Sequence, residues 1–395
     1  MKKVLLISQN FYPEIGSASN RIKNIYLLLR DRGFEVNVLT TAPTYPNRNL
    51  YEEGNFWDHS ELNEDDKIHR VKIKNKKYSR NILNRLLYYL EMAIRMVFFV
   101  LLNRNKYDVV FVTSPPIFVA IVGLIAKYRY KAKLILDIRD LWPESLKGVG
   151  VFNYAFIINI FKKIETLLYA KASSIIVNSQ GFIEHIVAKS QKFADKITYI
   201  PNGARRKEIK VSTNEADSFK VIYAGNIGLA QDNELIKELA KELNTKKIEL
   251  TIIGYGIRRE SLVDYIKENQ LENINFVKPT TRQECFEIIS NHQIGIVTLV
   301  NEDVFETVLP GKVIDYMTCG VPMVASVSGF SKAIIEKERT GFVSENQDVD
   351  ELIAFIAELQ ENKKLRQEMS GNGKRYVEQK FLWEDNIDTL VKILT

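Results

Sequence analysis

Cysteine is nearly absent: Cys285 and Cys319 are the only two in 395 residues, far apart and without metal-ligand spacing. That excludes a disulfide framework and makes a reducing cytoplasm the expected setting. Low-complexity segments and heptad arrays are also missing, which excludes repeats and disorder. The dinucleotide fingerprint Gly-x-Gly-x-x-Gly occurs nowhere, so a nicotinamide or flavin site of that kind is not expected. Secretory features are lacking too. The basic start Met1-Lys2-Lys3 and the apolar run Val4-Leu5-Leu6-Ile7 are cut short by Gln9-Asn10 and Tyr12-Pro13, so this segment reads as a first buried strand.

Uninterrupted apolar runs of membrane-spanning length are missing as well. The most apolar segment, residues 82–102, is broken by Arg85, Glu91 and Arg95. Each charge near a bilayer centre costs roughly 2.5–3.5 kcal/mol, so the segment is not expected to span. Two readings stay open. Basic flanks (Lys72, Lys74, Lys76, Lys77, Arg80, Arg104, Lys106) and interleaved tyrosines suit a helix lying on a membrane surface. The alternative is a long crossover helix buried against a sheet.

What remains is ordinary in bulk. With 46% hydrophobic and 26% charged residues, the chain can form a sizeable core, and its length suits two domains. A net charge of +6 and a pI near 8.9 favour anionic partners such as nucleotides, lipid phosphates or a membrane surface. No recognition motif accompanies that charge, so nucleic acid is not an expected partner.

Short β-branched runs alternate with helix-length segments throughout. The first half places strands at 4–8, 36–41, 68–73, 109–113, 134–138 and 175–178, with helices at 18–31, 117–128 and 154–170 between them. After a polar stretch at 205–218 the pattern restarts, with strands at 219–223, 248–253, 274–277, 295–299 and 323–325. Alternation of this kind predicts parallel sheets covered on both faces. Ligands of such sheets bind at the carboxyl ends of the strands. The expected domains are 1–204 and 219–378, joined by a linker at 205–218, with a closing helix at 379–395.

Several strand ends carry unusual residues. The first runs into Gly16, which can take a positive φ and admit a ligand to the helix amides that follow. The fifth ends as Asp137-Ile138-Arg139-Asp140-Leu141-Trp142-Pro143-Glu144, a mixture that core packing does not call for. Asp140 or Glu144 can orient a hydroxyl or take its proton, and Arg139 can meet a phosphate; the alternative is a helix cap with surface ion pairs. In the second half, Gly225-Asn226-Ile227-Gly228 and Gly254-Tyr255-Gly256-Ile257-Arg258-Arg259 are both strand-then-glycine turns, the latter with two arginines at a helix start. The stretch Leu309-Pro310-Gly311-Lys312-Val313-Ile314-Asp315-Tyr316 opens a helix that Gly320 ends. Lys312 and Asp315 share one helical face. They can grip a phosphate and a ribose, or simply pair with each other.

Taken together these segments resemble glycosyltransferase family 4, the retaining enzymes of GT-B fold. The resemblance is carried by Phe11-Tyr12-Pro13-Glu14 with Gly16, Ser114-Pro115-Pro116, residues 137–144, Val177-Asn178-Ser179, Ile200-Pro201-Asn202-Gly203, Ala224-Gly225-Asn226-Ile227-Gly228, and Pro310 to Met317 with Cys319-Gly320-Val321-Pro322. It covers nearly the whole chain. Residues 137–144 look like the subgroup that transfers N-acetylated deoxyamino sugars such as N-acetyl-L-fucosamine in O-antigen or capsule assembly.

The resemblance implies an α/β chain of two Rossmann-like domains facing a central cleft, an amino-terminal domain for the acceptor and a carboxyl-terminal one for the nucleotide sugar. A UDP-sugar would be bound by Gly16, Asn226, Gly228, Gly254, Gly256, Arg258, Arg259, Pro310, Lys312 and Asp315. Tyr12 and Trp142 would meet the acceptor, an undecaprenyl-diphosphate-linked saccharide at the cytoplasmic membrane surface. Asp140, Arg139 and Glu144 would serve catalysis. No cofactor and no metal are implied, so cationic side chains and helix dipoles would stabilise the departing diphosphate.

The match has gaps. The family's paired acids stand eight apart, but eight before Asp315 is Thr307, and Glu306 is one position off. The family's arginine after the first carboxyl-domain strand is replaced by Asn226, which leaves phosphate to Lys312 with Arg258 or Arg259. Its frequent amino-domain histidine is replaced around Arg139 and Asp140. Two other functions stay open on this sequence: a UDP-sugar 2-epimerase of the same fold and a catalytically silent nucleotide-binding assembly partner. The epimerases rely on several acids and histidines, and this chain has only His59, His69, His185 and His292.

Overall fold

The structure is a computed structural model that describes residues 1–52, 54–74, 82–148, 155–209 and 218–395. The basic positions Lys76, Lys77 and Arg80, the start of the helix expected at 154, and residues 210–217 of the expected linker lie outside the described residues. The chain divides into two compact units, Met1–Pro201 with Glu384–Thr395, and Asn202–Trp383.

The first unit holds seven parallel strands: β1 (Lys3–Ile7), β2 (Glu35–Thr41), β3 (Ile68–Val71), β4 (Val109–Ser114), β5 (Lys133–Ile138), β6 (Ser174–Val177) and β7 (Ile197–Tyr199), ordered β3-β2-β1-β4-β5-β6-β7. In the second, β8 (Lys220–Asn226), β9 (Glu249–Tyr255), β10 (Ile274–Val277), β11 (Ile294–Thr298), β12 (Met323–Ser326) and β13 (Gly341–Ser344) run in the order β10-β9-β8-β11-β12-β13. All paired strands are parallel. Helices cover the sheets, so central strands such as Val109–Ser114 and Ile294–Thr298 are buried at every position. In both sheets the order reverses beside the unit's first strand, between β1 and β4 and between β8 and β11. Loops at such a reversal splay apart and leave a crevice at the carboxyl ends.

β7 and β13, of three and four residues, were not foreseen. They are edge strands, too short for alternation to distinguish them from loop. The terminal helix Trp383–Leu394 is counted with the first unit from Glu384 onward. Its fixings explain why: Lys2 Nζ donates to the carbonyls of Leu394 (2.9 Å) and Thr395 (2.6 Å), and Arg32 pairs with Asp388 at 2.6 Å.

One ion pair stands out in the first unit. Arg21, on the helix Ser17–Asp31, has no side-chain exposure and meets the equally buried Asp137 of β5. Its Nη2 lies 2.7 Å and its Nε 3.1 Å from the carboxylate, while Nη1 donates to the Pro201 carbonyl at 3.1 Å. Asp137 therefore holds the helix to the sheet. Truncating one partner of such a pair leaves an uncompensated buried charge, worth about 3–5 kcal/mol. Arg21→Ala should lower the unfolding free energy of this unit by that amount in urea titration, and Arg21→Met with Asp137→Leu should recover most of it. Equal loss in the single and double variants would show that the charge pairing is not the cause.

Candidate functional site

The second unit's site is built on the ends of β8 and β9. Their two glycine turns interlock. The Ile227 amide donates to the Tyr255 carbonyl at 2.6 Å, and the Arg258 amide donates to the Ile227 carbonyl at 3.0 Å. Gly256 sits at φ 120°, and a Cβ there would fall 2.7 Å from the Ile227 carbonyl oxygen and 2.3 Å from Asn226 Oδ1. Only glycine allows this approach. Asn226 is thus packed between the turns, and Gly228, whose amide donates to Gln231 Oε1 at 2.9 Å, closes the first of them.

Across the strand reversal from these turns, between β11 and β12, lies the helix Gly311–Cys319 with Pro310 as its N-cap. Proline supplies a fixed φ and has no amide to leave unpaired. Gly320 ends the helix in the left-handed conformation at φ 68°. Tyr316 seats it: the hydroxyl accepts the Ala224 amide hydrogen at 2.8 Å and lies 3.4 and 3.3 Å from the Ile222 and Ile296 carbonyls. Its ring covers Gly295, where a Cβ would come within 2.6 Å of it.

That seating carries Lys312 into a particular place. Its ammonium lies 3.7 Å from the centre of the Tyr223 ring, and its Cε and Nζ lie beside Gly225, at 3.5 and 3.9 Å from a Cβ built there. The nitrogen is buried and has no hydrogen-bond partner among the described residues. Burial pushes its pKa down to about 7, against a smaller upward pull from Asp315. The i,i+3 pair between Lys312 and Asp315 that the spacing allows does not form. Asp315 Oδ1 pairs instead with Arg282 Nη1 at 3.1 Å.

Arg282 is a residue that the sequence did not point to. It opens the helix Arg282–Ser290 behind a Thr281–Glu284 capping box. Its Nε and Nη2 hold Glu208 at 2.8 and 3.3 Å, and the guanidinium rests 4.2 Å from the Phe286 ring centre. Burial would lower its pKa, but the two carboxylates outweigh it and raise it. Burial likewise raises Glu208, yet Arg282's charge and hydrogen bonds hold its carboxyl below the usual range. For Asp315 burial wins and the net shift is upward. One carboxylate oxygen of Asp315 is therefore oriented by Arg282, and the other makes no ion pair among the described residues. No sequence spacing links residues 208, 282 and 315. Their meeting follows from the sheet order alone.

The two arginines after Gly256 separate. Arg259 donates from Nε to the Gly254 carbonyl at 3.0 Å and packs over Phe276. Arg258, the N-cap of the helix Arg259–Glu268, makes no side-chain ion pair among the described residues. So Asn226, Gly228, Gly254, Gly256, Arg258, Pro310, Lys312 and Asp315 gather at one carboxyl edge, with Arg259 turned to structural contacts.

In the first unit, Gly16 is the N-cap of the helix Ser17–Asp31 at φ 115°. Tyr12 accepts the His59 amide at 2.7 Å and donates to Asn63 at 3.2 Å, and burial pushes its hydroxyl up to about 12. Arg139 donates to the Pro115 carbonyl at 3.0 Å, and its buried Nε has no acceptor among the described residues. Burial lowers its pKa, with Asp137 pulling the other way. Asp140 accepts the Leu141 amide at 2.9 Å and the Ser145 hydroxyl at 2.8 Å, while burial raises its carboxyl. Trp142 meets the Tyr89 ring edge-on at 6.0 Å. Glu144 turns instead toward Lys162 (3.5 Å), His185 (3.8 Å) and Lys189 (3.9 Å). Its companion there, Glu165, pairs with Lys189 at 2.7 Å. Glu144, Glu165 and His185 keep their ligand atoms within 4.8 Å of one another, and the Lys189 ammonium supplies the positive charge.

Two parallel α/β units, with glycine turns and a cation at a strand reversal, have the geometry in which open sheets bind ligands, and two family models say which class of protein this is. The model for glycosyl transferases group 1 matches residues 204–376, and that for a glycosyl transferase 4-like domain matches residues 16–203. A putative colanic acid biosynthesis glycosyl transferase of Escherichia coli K12 is 20% identical over 84% of each chain. A capsular polysaccharide biosynthesis glycosyltransferase of Staphylococcus aureus is 25% identical over 67% of this chain and 72% of its own. The structure of Anabaena HepE in complex with UDP-glucose superposes with a TM-score of 0.73 at 16% identity, covering 100% of this chain and 99% of that one. The chain is a glycosyltransferase of GT-B fold. Within that class it belongs to glycosyltransferase family 4.

The unpaired amine makes a thermodynamic prediction. Lys312's folded pKa, about 7, lies below the ordinary lysine value of about 10.4. Between those values the unfolded chain binds a proton that the folded one does not, so this residue's penalty shrinks as pH rises from 7 to 10. Lys312→Met removes the penalty. It should raise the stability of the second unit at pH 7.5 by roughly 1–2 kcal/mol and flatten that pH dependence, as read by thermal melts across the range. A variant less stable than the parent would show that the amine is not buried at a cost.

Proposed function

We propose that this chain is a retaining, metal-independent glycosyltransferase of bacterial surface polysaccharide assembly. It moves a sugar from a UDP-sugar to a saccharide carried on undecaprenyl diphosphate. An N-acetylated amino sugar such as N-acetyl-L-fucosamine is the donor sugar favoured by residues 137–144. The observation that carries the reading is Lys312, a buried amine without a hydrogen-bond partner among the described residues, beside Gly225 and in the first turn of a helix. Such a site is complete only with an anion in it. Capsule and colanic acid roles named for the relatives support the polysaccharide setting.

The donor's diphosphate would be held by Lys312, by the amides after Pro310 and by the turns around Gly228 and Gly256, with Arg258 as a second cation. Asp315, oriented by Arg282, would accept the ribose hydroxyls. As the sugar C1–oxygen bond breaks, its electron pair passes to the diphosphate, where a protonated Lys312 stabilises it. The acceptor hydroxyl enters on the same face, and its proton goes to the leaving phosphate oxygen, so the anomeric configuration is kept. Arg139 and Asp140, both held at the carboxyl end of β5, would attend the acceptor with Tyr12 and Trp142. No side chain acts as nucleophile.

Binding measurements test this directly. A thermal-shift screen of UDP, GDP and dTDP sugars should respond to UDP, with about 2.7 kcal/mol of stabilisation at a hundredfold excess over Kd. A response to GDP but not UDP would sink the donor assignment. Lys312→Met should weaken UDP roughly 10- to 100-fold, the worth of one charged hydrogen bond. Because the free amine loses its proton above about pH 7, UDP affinity should fall as pH rises through that value, with proton uptake seen by calorimetry in buffers of different ionisation enthalpy.

A further inference from the structure

A surface helix ordinarily turns one apolar stripe inward and a polar one to water. The helix Ile82–Leu102 does not. Its inner stripe, Tyr88, Met92, Met96 and Val100, is buried, and the helix packs on β2, β3 and the helix Ile117–Tyr130. Leu87, Leu90, Ile94, Phe98 and Leu101 recur at steps of three and four on the opposite side. They and Leu102 are 47% to 76% exposed. Between Leu87 and Leu102 the most exposed side chains are all leucine, isoleucine or phenylalanine. Glu91 and Arg95, the only charges in that span, pair with each other at 2.7 Å.

The helix Ala155–Lys171 packs against Ile117–Tyr130 in turn and repeats the pattern. Phe156, Ile160 and Leu167 are exposed at 76%, 40% and 46%. Lys163 and Lys171 continue the same stripe. Residues 82–108, 117–133 and 155–171 together hold eleven lysines and arginines against three acids. Each acid is occupied: Glu91 by Arg95, Asp108 by the Lys3 amide at 2.7 Å, and Glu165 by Lys189. A twofold contact with a second copy would set this cationic rim against itself. No helix among the described residues is long and apolar enough to cross a membrane.

We propose that the outer stripes of the helices Ile82–Leu102 and Ala155–Lys171 form one docking surface for an anionic lipid bilayer. The apolar side chains enter the headgroup boundary. Arg104, Lys106, Arg129, Lys131, Lys163 and Lys171 meet lipid phosphates around them. The inference rests on no part of the donor-site reading, although a lipid-borne acceptor would be met at such a surface.

Cosedimentation of the full chain with vesicles tests it. Vesicles of phosphatidylcholine with a quarter phosphatidylglycerol should bind the protein at least tenfold more tightly than phosphatidylcholine alone. Ile94→Ser with Phe98→Ser should lose at least tenfold of that binding, with an unchanged melt and unchanged UDP affinity. Phe156→Ser with Ile160→Ser reads the same face from the other helix, and Lys163→Ala with Lys171→Ala should lose the preference for the anionic lipid. No vesicle binding by the parent chain, equal binding by both serine variants, or a vesicle-free dimer that Ile94→Ser with Phe98→Ser dissociates would overturn the proposal. Undiminished vesicle binding with no UDP binding would leave this surface standing and remove the donor reading.

Discussion

Tyr316 fixes the position on which the second unit's chemistry depends. Its hydroxyl reaches the backbone of β8 and β11 together, the two strands between which the sheet order reverses. A buried phenol must satisfy its hydroxyl, and here the partners are main-chain groups that cannot move without disturbing the sheet. The helix Gly311–Cys319 is therefore held in both depth and rotation. Lys312, four residues earlier on the same face, is carried to Tyr223 and Gly225, and Asp315 is carried to Arg282. Gly295 is the counterpart of this contact, since no larger residue leaves room for the ring.

The same seating produces an uneven distribution of charge. Asp315 and Glu208 share one guanidinium, whereas Lys312 has only an aromatic face and the distant pull of Asp315. A protein optimised for stability alone would pair that lysine or replace it. The imbalance is local, and the proposed diphosphate site rests on it. Asn226, after β8, packs between two glycine turns, and Lys312 approaches them on a helix from the other side of the reversal.

In the first unit, burial sorts a crowd of charges that looked alike. Asp137 is wholly enclosed and pairs with Arg21. Asp140 faces its own turn and Ser145, and Glu144 joins Lys162, Lys189 and His185. Arg139 keeps one buried nitrogen without an acceptor among the described residues. Of the charged residues between 137 and 144, Arg139 and Asp140 thus remain beside the strand end with capacity to meet a ligand. The outer helices of that unit show the converse situation, apolar side chains that no described residue of the unit covers. A solvated protein surface does not ordinarily align such residues along whole helices.

Much of this was legible from residue order. Strand-helix alternation and β-branched runs required covered parallel sheets, because only burial on both faces tolerates such runs. Pro310 and Gly320 marked a helix from end to end, because their backbone preferences are local. Gly256 marked a turn for the same reason, whereas Gly225 and Gly254 fall in the last residues of β8 and β9. Short edge strands and the partners of charged residues were not legible. Lys312 and Asp315 looked like a pair for each other, and the intended partner of Asp315 lies 33 residues away, that of Arg21 116 residues away. The sequence by itself determined which segments form strands, helices and turns, since those choices rest on interactions within a few residues. Only the tertiary structure decided which charges are paired, which amine is left for a ligand and which apolar faces stay uncovered, because those depend on strand order and burial, which bring distant residues together.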